Sequence, residues 1–173
     1  MRFIQVNRMK QQKPSPSDFY DVMDSPLGPL YLIFASGVLT GIEFSKPSNI
    51  LLKHKKGMTP VRNELIEYFK KTRQEFTCLT AFTDGTEFEK KVWETLKKIP
   101  YGETRTYKWL AEQIGKPRAF RAVGNALGKN PIPIIFPCHR VIETDGSLGG
   151  YSGGIGFKRR LLEGEYYTKQ TKD

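Results

Sequence analysis

Two cysteines and two histidines occur in the 173 residues of this chain, and one of each stands side by side at Cys138-His139. The pair closes the segment Asn130-Pro131-Ile132-Pro133-Ile134-Ile135-Phe136-Pro137-Cys138-His139-Arg140-Val141-Ile142, an apolar stretch that three prolines keep out of a helix. A thiol on a stiff, extended backbone with a titratable imidazole beside it has the makings of a nucleophile, because the thiolate reacts and a base must generate it. For an arbitrary Cys-His pair, a buried cysteine next to a hydrogen-bonded histidine is the commoner arrangement. A thiol hydrolase with a direct Cys-His dyad is disfavoured, since neighbours on an extended strand point to opposite faces and nothing else in the chain suggests a peptide-binding cleft.

The elements that position this segment begin at Thr86, where the texture of the chain becomes helical. Thr86-Glu87-Phe88-Glu89 is a capping box, and Phe88, Val92, Leu96 and Ile99 share one face of the helix it opens. Pro100-Tyr101-Gly102 ends that helix, and Thr106 caps a second one carrying Tyr107, Leu110, Ala111 and Ile114 up to Gly115. A third helix is expected from Pro117 to about Gly128, joined to the second through Gly115-Lys116, which makes a helix-turn-helix. Upstream, residues 7–18 read as a poorly ordered lead-in. Phe19 to Asp24, Leu30 to Ala35 and Val38 to Phe44 read as an antiparallel meander, because Ser25-Pro26-Leu27-Gly28-Pro29 and Ser36-Gly37 are turn chemistry. A helix capped by Thr59 with Pro60 at its first position follows, then a strand from Gln74 to Phe82 containing a structural Cys78.

Net charge by itself fits a merely soluble basic surface as well as a DNA-binding one, and its distribution tilts the balance to DNA. The chain has 28 basic and 18 acidic residues, a net charge of +10. Residues 105–140 hold Arg105, Lys108, Lys116, Arg118, Arg121, Lys129 and Arg140 against Glu112 alone. The excess thus gathers around the candidate nucleophile, as a nucleic-acid interface would require. His54, Cys78, Cys138 and His139 have no C-x-x-C spacing, so no metal is expected, and the two thiols should be reduced. The absence of a leader-like N-terminus and of any membrane-length apolar run suggests a cytoplasmic protein, nucleoid-associated or nuclear if eukaryotic.

The string Pro137-Cys138-His139-Arg140-Val141 resembles the active-site signature of the O6-alkylguanine-DNA alkyltransferases, and the likeness extends through residues 86–165. Its further blocks are Tyr101-Gly102-Glu103-Thr104-Arg105-Thr106-Tyr107, Arg121-Ala122-Val123-Gly124, Asn130-Pro131, Gly150-Tyr151-Ser152-Gly153-Gly154 and Lys158 to Glu165. The resemblance implies a two-domain α+β protein. Residues 1–85 would form a ribonuclease H-like α/β domain, and 86–173 a mostly helical catalytic domain with a winged-helix-like helix-turn-helix. The first domain matches only in outline and lacks the ligand set of relatives that bind zinc there, so neither a metal nor a cofactor is implied.

Each site residue has an implied role. An alkyl group on O6 of a stacked guanine is out of reach, so the nucleotide must be flipped into a pocket. The third helix would enter the minor groove with Arg121 filling the vacated space, flanked by Arg118, Ala119, Phe120, Ala122 and Lys129. Cys138 would attack the alkyl carbon, His139 would deprotonate it through a bound water, and Glu165 would orient the imidazole. Tyr107 would donate to a ring nitrogen of the leaving base. Ser152 would bond O6, the carbonyls of Cys138 and Val141 would accept from the exocyclic amine, Tyr151 would form a pocket wall, and Asn130 would brace the turn before the nucleophile. Phe120 departs from the resemblance, since relatives carry a small residue there.

The implied activity is single-turnover repair of double-stranded DNA containing O6-alkylguanine, with O4-alkylthymine as a further candidate, by a monomer. A non-catalytic protein that flags alkylguanine for another pathway is the alternative, and the cysteine at position 138 argues against it.

Overall fold

The computed structural model describes residues 18–47, 53–54 and 59–170. The chain divides between Asp84 and Gly85 into two compact units.

In the N-terminal unit, β1 (Phe19–Ser25), β2 (Gly28–Ala35) and β3 (Val38–Glu43) form the expected antiparallel meander, and β4 (Lys53–His54) adds in parallel beside β1, giving the order β3-β2-β1-β4. The hairpin between β2 and β3 closes over Ser36-Gly37, whose φ angles of 50° and 79° are those of a type I′ turn. Alternation along β2 sends Leu30, Leu32 and Phe34 into the core. Helix α1 (Pro60–Phe69) contributes Val61, Leu65 and Tyr68 to the unit's buried set. Its start is the one expected: Thr59 Oγ1 accepts from Arg62 N, with proline in the first turn. Arg62 Nη1 in turn donates to Asp21 Oδ2 at 3.1 Å and to Val22 O at 2.7 Å, fastening α1 to β1.

The strand expected over Gln74–Phe82 does not form; the segment makes one bridge, Leu39 to Thr80. A side chain has taken the place of the ladder. Glu64 of α1 accepts from Thr77 N, Thr77 Oγ1 and Cys78 N at 2.8, 2.6 and 3.3 Å, so these amides are satisfied without a neighbouring strand. Cys78 therefore sits beside the Glu64 carboxylate, which holds its backbone amide. The lead-in over residues 7–18 lies, except for Asp18, outside the described residues.

The C-terminal unit is largely helical: α2 (Glu87–Leu96), α3 (Tyr107–Gln113), α4 (Phe120–Gly128) and α5 (Ile155–Gln170), with a parallel pair of two-residue strands, β5 (Arg105–Thr106) and β6 (Val141–Ile142). The Thr86/Glu89 capping box is complete, and Thr106 Oγ1 accepts from Trp109 N at the start of α3. Trp93 Nε1 donates to Ala126 O at 2.7 Å, pinning α2 to α4. The third helix starts later than expected. Pro117 and Arg118 form a turn, Ala119 is the N-cap, and Ile114–Ala119 separate α3 from α4 in place of the Gly115-Lys116 joint. Together the units give the two-domain α+β architecture anticipated from the sequence. Among the described residues no helix is long and apolar enough to cross a membrane.

Candidate active site

The segment before Cys138 is not the extended strand that its prolines suggested. Asn130 N donates to Leu127 O at the end of α4, and the Asn130 side chain then spans the following loop: Nδ2 donates to Phe136 O at 2.8 Å while Oδ1 accepts from Ile132 N at 3.1 Å. Within that loop Ile134 holds φ at 75°, a costly conformation for a β-branched residue, with its side chain fully buried. Pro137, at φ −78° and ψ 68°, makes an inverse γ-turn in which Cys138 N donates to Phe136 O at 2.8 Å. Cys138–Arg140 then form one 3-10 turn leading into β6. Fixed proline φ angles and the Asn130 bracket together bend the chain where a strand was expected.

Behind the thiol lies a buried ionic cluster. His139 and Glu165 are almost wholly excluded from solvent, and His139 Nε2 lies 2.8 Å from Glu165 Oε1. The carboxylate also accepts from Arg140 Nε at 2.9 Å, Arg140 Nη2 at 3.0 Å and Gly102 N at 3.1 Å, while Arg140 Nη1 donates to Ile99 O at 2.8 Å. Burial alone would raise the Glu165 pKa, but the charges and hydrogen bonds of His139 and Arg140 bring it well below the usual carboxylate range. Burial lowers the His139 pKa against the pull of Glu165, favouring a neutral ring. A carboxylate can only accept, so Nε2 carries the ring proton and Nδ1 keeps a lone pair. That Nδ1 is buried and has no protein hydrogen-bond partner.

Cys138 is buried, and this pushes its thiol up to about 11, against the hydrogen bond from Asn130 and the positive charge of Lys158. The resting thiol is therefore protonated at neutral pH, and attack requires a base. Lys158, fully buried on α5, donates from Nζ to Val141 O at 2.6 Å and sits 5.9 Å from the centre of the Tyr107 ring.

A cavity of about 550 Å³ opens in front of Cys138, lined also by Tyr107, Phe120, Arg121, Gly124, Leu127, Gly128, Glu143, Gly150, Tyr151 and Ser152. That volume suits a nucleobase-sized ligand. The Tyr151 phenol is held well above its ordinary pKa by burial and then by the charge and hydrogen bond of Cys138, while the Tyr107 phenol is raised by burial and then by Glu143. Gly149 has φ at 66°, and a Cβ there would stand 2.9 Å from Tyr107 Oη, so glycine is needed for this approach.

The structure thus brings Cys138, Tyr107, Tyr151, Ser152, Arg121 and Phe120 to one cavity, with His139 and Glu165 behind the nucleophile. Val141 and Asn130 are not on the cavity wall. Asn130 acts on the backbone of the loop and on the Cys138 thiol, and the carbonyl of Val141, expected to meet substrate, already accepts from Lys158. Arg118 in the preceding turn and Arg121 and Ala122 on α4 are exposed, and Phe120 is 46% exposed despite its size. Lys129 is not a free cation: its Nζ donates to Glu89 Oε1 at 2.6 Å. Sequence reasoning missed Arg140, Lys158 and Glu143 as members of the site. Among the described residues no cluster of three or more His, Cys, Asp or Glu could hold a metal ion.

Two family models match the chain: the 6-O-methylguanine DNA methyltransferase DNA-binding domain over residues 87–167 and the ribonuclease-like domain of the same enzyme over residues 19–82. A methylated-DNA–protein-cysteine methyltransferase of Methanosarcina barkeri is 44% identical over 151 residues, covering 84% of this chain and 95% of the relative. The protein of the same name from Mycobacterium bovis is 46% identical over 149 residues, covering 83% and 90%. The crystal structure of Mycobacterium tuberculosis OGT in complex with DNA is similar at a TM-score of 0.81 and 45% identity, covering 87% of this chain and 94% of that one. With both of its units matched and relatives of this identity aligned over most of their length, the chain belongs to the 6-O-methylguanine DNA methyltransferase family.

Proposed function

We propose that this protein repairs O6-alkylguanine in double-stranded DNA by transferring the alkyl group irreversibly to Cys138. The observation that carries the reading is the placement of Cys138 on the cavity wall, with the neutral His139 and its carboxylate Glu165 buried behind it and Nδ1 free to accept a proton. Cys138 Sγ attacks the alkyl carbon, the Sγ–C bond forms as the C–O6 bond breaks, and the electron pair stays with guanine. The thiol proton passes through a water to His139 Nδ1, and the guanine anion regains one proton as it becomes neutral base. Glu165 stabilises the imidazolium in between. The thioether has no good leaving group, so each molecule acts once.

Tyr107 relieves charge on the departing base by donating from its hydroxyl, which its raised pKa keeps protonated. Ser152 bonds O6, Tyr151 walls the pocket, and Val141 has one carbonyl lone pair left for the exocyclic amine. Arg121 fills the stack vacated by the flipped nucleotide, with Phe120 against the adjoining bases and Arg118, Ala119 and Ala122 along the groove. Catalysis and DNA binding belong to residues 86–173, and residues 1–85 form the ribonuclease H-like domain. The protein works as a monomer in the compartment that holds the DNA, the cytoplasm or a nucleus.

Mass measurement after incubation with excess O6-methylguanine duplex tests this. One methyl group on Cys138, none on Cys78, and a plateau at one lesion per molecule are expected. Sustained turnover, or a methyl group located elsewhere, would overturn the reading.

A further inference from the structure

The cavity wall carries one charged group that alkyl transfer does not require. Among the described residues lining it, Glu143 is the one acidic side chain. Its backbone is fixed on both sides: Glu143 N donates to Ser147 O at 2.9 Å, and Gly146 N, with φ at 85°, donates to Glu143 O at 3.1 Å. Asp145 Oδ1 accepts from Ser147 N at 2.9 Å and completes the turn. The carboxylate comes to the same place as the Tyr107 hydroxyl. A Cβ on Gly149 would stand 3.1 Å from Glu143 Oε1 and 2.9 Å from Tyr107 Oη. The half-buried Tyr107 and the buried Lys158 also register its charge, since Glu143 raises the pKa of Tyr107 and opposes the burial-driven lowering of Lys158.

The substituent on O6 must place its first carbon at Cys138, and Cys138 and Glu143 line the same cavity of about 550 Å³. We propose that Glu143 makes the protein selective for the charge of the alkyl group, admitting neutral and cationic substituents and disfavouring anionic ones. The inference rests on the transfer reaction proposed above. The other charges near the cavity do not cancel this effect. Arg121 lines the same cavity but is exposed on the first turn of α4, where solvent and the phosphates of a bound duplex screen its charge, and the Lys158 ammonium is held at Val141 O. Like charges separated by several ångströms of protein repel strongly enough to slow transfer by about tenfold. The bonds made and broken are the same for every substituent: Sγ–C forms, C–O6 breaks, and the pair leaves with guanine. Repulsion between Glu143 and the departing base is therefore common to all substrates and drops out of a ratio of rates.

Single-turnover rates on duplexes carrying O6-carboxymethylguanine, O6-methylguanine or O6-(2-aminoethyl)guanine test the proposal in the full-length protein, Glu143→Gln and Glu143→Asp. The carboxymethyl-to-methyl rate ratio should rise about tenfold in Glu143→Gln, the aminoethyl-to-methyl ratio should fall, and both should stay near the parent's in Glu143→Asp, which keeps the charge. Ratios that are the same in Glu143→Gln and the parent would overturn it while leaving methyl transfer to Cys138 intact. A parent protein that moved no methyl group to Cys138 would instead remove the reaction on which the inference stands.

Discussion

Cys138 and Arg121 line one cavity but live in opposite surroundings. The nucleophile is buried, its backbone bent by Pro137 and bracketed by Asn130, and its neighbours His139, Arg140 and Glu165 are tied into one hydrogen-bonded cluster. Arg121 stands exposed on the first turn of α4, beside a Phe120 that buries only part of its ring. The contrast separates two demands on a repair protein. Proton transfer and displacement need groups fixed in advance in a dry setting, because electrostatic effects are strongest where nothing has to reorganise. Engagement of a duplex needs side chains that are free until the partner arrives, and the energy of flipping is supplied at that moment.

Removing Glu165 should break the buried side most severely. Glu165→Ala leaves the Arg140 guanidinium without its carboxylate partner, a loss of about 3–5 kcal/mol of stability measurable by urea unfolding. Transfer should also slow by about a hundredfold or more, since the imidazole loses its orienting partner. Unaltered stability would show that the cluster is not the anchor of the site.

The smallest effect should come from Lys129, at the C-terminal end of α4. Its ion pair with Glu89 is solvent-exposed on the lysine side, so Lys129→Ala should cost less than about 1 kcal/mol at neutral pH. Glu89 is lowered from its ordinary 4.5 to about 2, by Lys129 first and then by the backbone and hydroxyl of Thr86. A carboxyl depressed in the folded state contributes stability that is present above pH 4.5 and lost as the pH falls through about 2. Lys129→Ala should therefore flatten the acid limb of the stability curve between those values, and an unchanged limb would show that the pair does not form in solution. Duplex repair should change little, because this lysine is already engaged within the protein.

The local signals in the sequence were the legible ones. Thr59-Pro60, the Thr86/Glu89 box and Thr106 mark helix starts within four residues of chain, and the structure has each of them. The Gln74–Phe82 segment misled because its Phe, Thr, Cys and Leu residues suit a strand, whereas the partner for its amides is Glu64, a helix away. Pro117 is a good first residue for a helix, yet the turn it makes with Arg118 delays α4 to Phe120. Cys138 and His139 were singled out by the Pro137–Val141 string and Glu165 by the separate Lys158–Glu165 block, and the fold brings Glu165 to His139. Arg140, Lys158 and Glu143 were overlooked for a common reason: what gives each its place is proximity to residues far along the chain, Arg140 bonded to Ile99, Lys158 to Val141, and Glu143 beside the Tyr107 hydroxyl at Gly149. No local pattern carries that information.

The division between a buried chemical side and an exposed DNA side is tested most directly by comparing single-turnover transfer from an O6-alkylguanine duplex and from free O6-benzylguanine in His139→Ala and Arg121→Ala. The free base needs no flipping. His139→Ala should slow both reactions to a similar extent, while Arg121→Ala should slow the duplex reaction at least tenfold more than the free-base one, because flipping costs a few kcal/mol. Equal losses on both substrates in Arg121→Ala would mean that this residue supports the pocket and not the DNA, and the account of α4 would fail.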